Sequence, residues 1–246
     1  MTPALRPGVD LWSRALNRTY GSFIVSSATA LFSKLGDDRF FHWTPNDLWH
    51  KAYQGGIGVG IGIGTFGMFV LIARTLYWVS FPSWGWQKAS IEEVATSLVT
   101  LAIYYLAVAV TEEIIFRGYA FQQVQLALGS PAAAVLLTAL FARAHGSEPL
   151  SLIGQTASGV LFMALRLTSG SLWMPVGCHF GVSYAQTALM GPTDGAPSLL
   201  PMENHGPKVW LGRPGYPEPG IITAIAYLLA TVAVIAGWWR SRSPGQ

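Results

Sequence analysis

Residues 91–118 read IEEVATSLVTLAIYYLAVAVTEEIIFRG. After Glu93 the chain carries no charge until Glu112 and Glu113, and the apolar stretch 91–111 is about twenty residues long. At about 1.5 Å per residue that is enough helix to cross the roughly 30 Å hydrocarbon core of a bilayer. The run ends on two carboxylates and continues amphipathically to Leu128. Working outward, further apolar runs lie at 53–81, 131–145, 151–168, 172–190 and 221–239. The expected fold is therefore all-α, a polytopic transmembrane helical bundle of six spans, or up to eight if 20–35 and 112–128 also cross.

Composition agrees. Hydrophobic residues make up 51% of the chain and charged ones 11%, against about 25% charged in a soluble domain. Ten tryptophans and nine tyrosines suit two interfacial belts. Arg6, Arg14, Arg18, Lys34, Arg39 and Lys51 precede or open the first strong apolar run, and Arg240 and Arg242 follow the last. By the positive-inside rule both termini are expected in the cytoplasm, with the protein in the cell membrane. Residues 1–52 read as a cytoplasmic or interfacial segment, with a surface helix near 9–18 and a short Ser-rich interfacial stretch at 22–35. Residues 53–246 read as the bundle. Within it, the run Gly55-Gly56-Ile57-Gly58-Val59-Gly60-Ile61-Gly62-Ile63-Gly64 favours close helix packing over phosphate binding, because no lysine or strand–turn–helix frame accompanies it. Residues 191–220, with seven prolines and six glycines, read as an irregular loop. No cluster of basic and aromatic residues suggests a nucleic-acid partner. The single cysteine, Cys178, excludes an intramolecular disulfide framework and a CxxC zinc site. No signal peptide is visible at the N-terminus.

The ionisable residues inside apolar segments carry the functional signal, since each costs about 2.5–3.5 kcal/mol to insert. Glu113 and Arg117 are spaced to pair on one helix face, while Glu112 is rotated about 100° from Glu113. Two adjacent carboxylates in low dielectric resist joint ionisation, which suits one of them to general-base work. His145 and His179 stand on two other apolar helices, and side chains from separate helices can converge in a bundle interior.

With these residues in hand, the sequence resembles the CAAX-protease and bacteriocin-processing (CPBP, or Abi) family of intramembrane proteases, which includes type II CAAX prenyl endopeptidases. Glu112-Glu113-Ile114-Ile115-Phe116-Arg117 resembles the motif EExxxR, and Phe141-Ala142-Arg143-Ala144-His145 resembles FxxxH. Arg166 to Phe180, RLTSGSLWMPVGCHF, is similar to the family's arginine-GSLW-proline-histidine segment. The resemblance covers about residues 91–190. The family places Asn or Asp four residues after that histidine, whereas this chain has Ser183, a donor of shorter reach.

The resemblance implies an endopeptidase in which Glu112, assisted by His145, activates water and His179 with residue 183 stabilises the oxyanion. Glu113 and Arg117 then support the site. It implies no resident cofactor. Zinc held by Glu112, His145 and His179 is the alternative, though the HExxH spacing is missing. The implied partners are membrane lipids and a membrane-associated protein or peptide substrate. A non-catalytic relative acting in bacteriocin immunity or as a scaffold, and a transporter with an intramembrane proton path, are the competing classes.

Overall fold

The structure is a computed structural model that describes residues 45–213 and 216–242. The surface helix and the interfacial stretch expected before residue 36 lie outside those residues. The helices are α1 (Pro45–Thr75), α2 (Ile91–Glu113), α3 (Ala120–Leu128), α4 (Ser130–Ala144), α5 (Pro149–Ser169), α6 (Trp173–Tyr184), α7 (Lys208–Leu211) and α8 (Ile221–Arg242). Two short strands, β1 (Val79–Ser80) and β2 (Glu203–Asn204), pair antiparallel. The protein is an all-α membrane bundle in which this ribbon is a minor addition.

Among the described residues, four helical stretches are long and apolar enough to cross a membrane: Leu48–Thr75, Ile91–Leu128, Pro149–Ser169 and Ile221–Arg242. Helix α4 is apolar but only 15 residues long, about 22 Å at 1.5 Å per residue. Helix α6 is extended by the five-residue π-helical segment Ala185–Leu189. Residues 112–128 do not form a separate crossing, because a π-helical segment at Ile114–Tyr119 joins α2 to α3 without a break. Glu112 and Glu113 consequently sit inside a 38-residue helix rather than at its end. The expected helical run to residue 81 also stops early. Tyr77 takes a positive φ of 57° and the chain then turns into β1.

Local sequence explains the helix ends. Ser90 accepts from the Glu93 backbone N–H while the Glu93 side chain accepts from the Ser90 N–H, a capping box that starts α2. Pro131 and Pro149 fall in the first turns of α4 and α5, where the missing N–H costs nothing. Gly170, at φ 68°, ends α5 in the left-handed conformation.

Helix α5 is the centre of the bundle, with 61% of its apolar window buried against 17% for the stretch through α2 and α3. Phe141, Leu161, Phe162, Leu165, Cys178, Val182 and Tyr227 pack together around it. Outward-facing residues of the spans are apolar too: Leu71, Val99, Ile103, Leu126 and Val232 are all more than half exposed. Contiguous apolar exposure of this kind belongs to a surface that meets lipid rather than water. Trp84 stacks on Trp86 beside the ribbon, and Trp238 meets Trp239 at the far end of α8.

The glycine run packs α1 against α6. A Cβ at Gly58 would strike the Met174 carbonyl, and one at Gly62 would strike the Cys178 carbonyl. From the other helix, a Cβ at Gly177 would strike the Gly55 carbonyl, and one at Gly181 would lie 2.6 Å from that of Val59. The partners advance together along both helices, so the two run parallel at a seam of glycines spaced by four. The intervening Gly56, Gly60 and Gly64 have nothing within 4 Å. Gly58→Val and Gly62→Val should each cost about 1–3 kcal/mol or more by overpacking, read as a lower melting temperature in detergent. Gly60→Ala should be neutral or slightly stabilising. Equal melting of all three variants and the parent would remove the seam from the account.

Candidate active site

Arg117 is the group that cannot be left unpartnered. Its side chain and that of Glu113 are both 0% exposed. Arg117 Nη1 donates to Glu113 Oε1 at 3.0 Å across one helical turn, and Nη2 donates to the Gly159 carbonyl of α5 at 3.4 Å. The guanidinium carbon lies 4.1 Å from the centre of the Phe141 ring and 5.4 Å from that of Phe162, a cation held against aromatic faces. A Cβ at residue 159 would lie 3.1 Å from Thr138 and 3.3 Å from Phe141, so the glycine lets α5 come close to the guanidinium. Arg166 Nε donates to the Arg117 backbone carbonyl at 3.2 Å, which satisfies an acceptor in the π-helical segment.

His179 enters this cluster from α6. Its Nδ1 lies 3.0 Å from Glu113 Oε1, and its ring stacks on Phe162 at 4.8 Å and 15°. A carboxylate only accepts, so Nδ1 carries the proton and Nε2 is the atom turned toward Glu112, 4.0 Å from its Oε2. His145, the residue that caps α4, has Nδ1 2.8 Å from the Phe141 carbonyl. That carbonyl also only accepts, which fixes the same tautomer. His145 Nε2 then faces Glu112 Oε2 at 3.4 Å, an ion-pair distance without hydrogen-bond alignment.

Glu112, Glu113, Arg117, His145 and His179 therefore come together from three helical stretches. One carboxylate is balanced by the guanidinium, and the other faces two imidazole Nε2 atoms. The side chains of Glu112 and His145 keep 14% and 17% of their surface open, while Glu113 and Arg117 keep none. The arrangement separates an accessible carboxylate from an inaccessible one, which two adjacent glutamates in a sequence do not reveal.

Ser183 is half-buried one turn beyond His179 and makes no side-chain hydrogen bond among the described residues. Arg143 points outward and is exposed. Two buried residues escaped the sequence reading. Gln186, seven positions after His179 and on the same face, donates to Glu218 Oε1 at 2.7 Å. Its helical spacing was the available signal; Glu218, in a proline-rich loop, carried none. The loop itself is more ordered than expected, since it contains β2 and α7 and its Leu199 and Leu200 backbones bond to Ala188 and Leu189.

Among the described residues no three histidine, cysteine or carboxylate groups converge closely enough to hold a metal ion. Both Nδ1 atoms are engaged elsewhere, and the Nε2 atoms of His145 and His179 lie 3.4 and 4.0 Å from Glu112 Oε2.

Removing one partner of the buried pair leaves the other charged and uncompensated. Glu113→Ala or Arg117→Met alone should destabilise the protein by about 3–5 kcal/mol. The double variant Glu113→Leu with Arg117→Met should recover a large part of that loss. Thermal melts in detergent measure both, and additive losses would show that the pair is not coupled.

The model of the family described as type II CAAX prenyl endopeptidase Rce1-like matches residues 94–185. No curated protein and no solved structure matches the chain. The matched stretch holds Glu112, Glu113, Arg117, His145, His179 and Ser183, whereas Gln186 and Glu218 fall beyond it. Three motifs in order, converging on one buried cluster inside an integral membrane protein, lie in the stretch, residues 94–185, that is similar to the Rce1-like type II CAAX prenyl endopeptidases.

Proposed function

We propose that this protein is an intramembrane endopeptidase in which Glu112 activates the attacking water. The observation that carries the reading is that Glu112 Oε2 is faced by the Nε2 atoms of both His145 and His179, while both Nδ1 atoms are tied down. Glu112 and His145 Nε2 are both acceptors when unprotonated, and two acceptors face each other comfortably only through a donor. A water seated beside the two and donating to both satisfies them, and Glu112 removes its proton as the oxygen attacks the peptide carbonyl. His179, protonated at Nε2 as well as at Nδ1, donates to the oxyanion that forms. The proton on Glu112 then passes to the departing amine, the C–N bond breaks, and the carboxylate is regenerated. Glu113 and Arg117 hold the His179 ring in place.

The substrate we infer is a membrane-associated protein or peptide, admitted from the lipid-facing side. Six crossings with both termini in the cytoplasm of the cell membrane fit the basic residues that flank the bundle. Cysteine labelling near both ends should report the same side of the membrane.

The decisive assay is cleavage of quenched fluorescent peptides by purified protein in detergent. Glu112→Gln keeps the size and polarity of the side chain but not its basicity, and should lower kcat by about a thousandfold. Activity should survive a strong chelator. Full activity of Glu112→Gln would sink the mechanism, and chelator inhibition reversed by zinc would favour the metal-dependent reading. A correctly folded protein with no cleavage at all would favour the non-catalytic one.

A further inference from the structure

Beyond the carboxylates of the motif, another glutamate is buried against the bundle. Glu218, three residues before α8, is 7% exposed, and so is Gln186. The Glu218 backbone is held tightly, because a Cβ at Gly154 of α5 would strike its carbonyl. The neighbouring Tyr216 hydroxyl accepts from Gln155 Nε2 at 3.3 Å. Residues 151, 154, 155, 158 and 159 share one face of α5. That face runs about 12 Å, from the loop at Ser151 to the Arg117 contact at Gly159. After the Gln186–Glu218 bond is made, two oxygens of the pair remain buried with no partner, Glu218 Oε2 and Gln186 Oε1.

We propose that the Glu218–Gln186 pair is a substrate-binding element of the active site, gripping the main chain of an extended peptide beside the bond that Glu112 attacks. The inference rests on the peptidase reading above and adds to it where substrate is held. Burial pushes the Glu218 carboxyl up, against the opposing pull of the Gln186 amide and of His145 and His179. In the protonated carboxyl Oε1 is occupied by the Gln186 N–H, so the proton sits on Oε2 and makes it a donor. Gln186 Oε1 is an acceptor. One donor and one acceptor, carried by a single hydrogen-bonded pair, complement the C=O and N–H of a backbone and ask nothing of its side chains. Ser183 contributes nothing comparable, which leaves main-chain recognition to this pair one turn further along the same face. Approach is from the side on which Glu112 and His145 stay partly open.

The test uses purified full-length protein in detergent with fluorescein-labelled unfolded casein as the probe. In the Glu112→Gln background, adding Glu218→Ala or Gln186→Leu should weaken casein binding about tenfold. Glu218→Gln retains a donor and an acceptor on the same frame and should bind within about twofold of its parent. With Glu112 intact, Glu218→Ala should raise KM about tenfold with little change in kcat, whereas a scaffold residue would lower kcat and melting temperature together. The protonated form exists below the raised Glu218 pKa, so binding should weaken as pH rises through it. Glu218→Gln should lack that limb, and the other titratable groups around it, His145, His179, Tyr105, Tyr216 and Tyr227, are common to both proteins. Unchanged binding in Glu218→Ala and Gln186→Leu overturns the inference, as does a Glu218→Gln that binds as poorly as Glu218→Ala. Full cleavage by Glu112→Gln would instead overturn the peptidase mechanism and leave the binding comparison standing.

Discussion

Arg117 carries a guanidinium with no exposed surface, and the groups that satisfy it organise the site. Its carboxylate partner is one turn earlier on the same helix, its carbonyl partner is on α5, and its aromatic neighbours come from α4 and α5. Burying a charge is costly unless geometry and hydrogen bonds compensate. Here the compensation draws three helical stretches to one point. Glu113, fixed by that ion pair, in turn fixes the Nδ1 of His179, and the free Nε2 follows. A group that takes no direct part in the proposed chemistry thus sets the orientation of one that does.

The second constraint is steric. His179 can reach the cluster only because α6 is held where it is. On its other side α6 is clasped by α1 through glycines at 58, 62, 177 and 181. In lipid, apolar side chains gain little from meeting each other rather than acyl chains, so close backbone approach supplies the specificity of the contact. The seam and the buried ion pair thus act on opposite faces of one short helix. The two π-helical segments, at 114–119 and 185–189, lie where polar side chains must be aimed inward.

Much of the site was legible along the chain. The i,i+4 spacing of Glu113 and Arg117 announced their pairing, and the order of the three motifs announced their convergence. Only some of the alternating glycines turned out to matter, because a helix presents every fourth residue to one neighbour. The boundary at Leu128 was readable, but the continuity of the helix through Glu113 was not. A π-helical segment has no residue signature that distinguishes it from ordinary helix. The run ending at Phe81 failed for a similar reason, since hydropathy does not separate the end of a helix from an apolar turn and strand.

By itself the sequence determined the solvent and marked the side chains from which a site could be built. A chain with so few charges must live in lipid, where backbone groups are satisfied internally and helices are the natural spanning element. Its rare intramembrane ionisable residues are too costly to be incidental. Tertiary structure alone decided which glutamate is enclosed and which is open, because that depends on the helices packed against each. It alone brought Gln186 and Glu218 together across thirty-two positions. A loop glutamate is unremarkable in hydropathy and becomes informative only when folding takes it out of water.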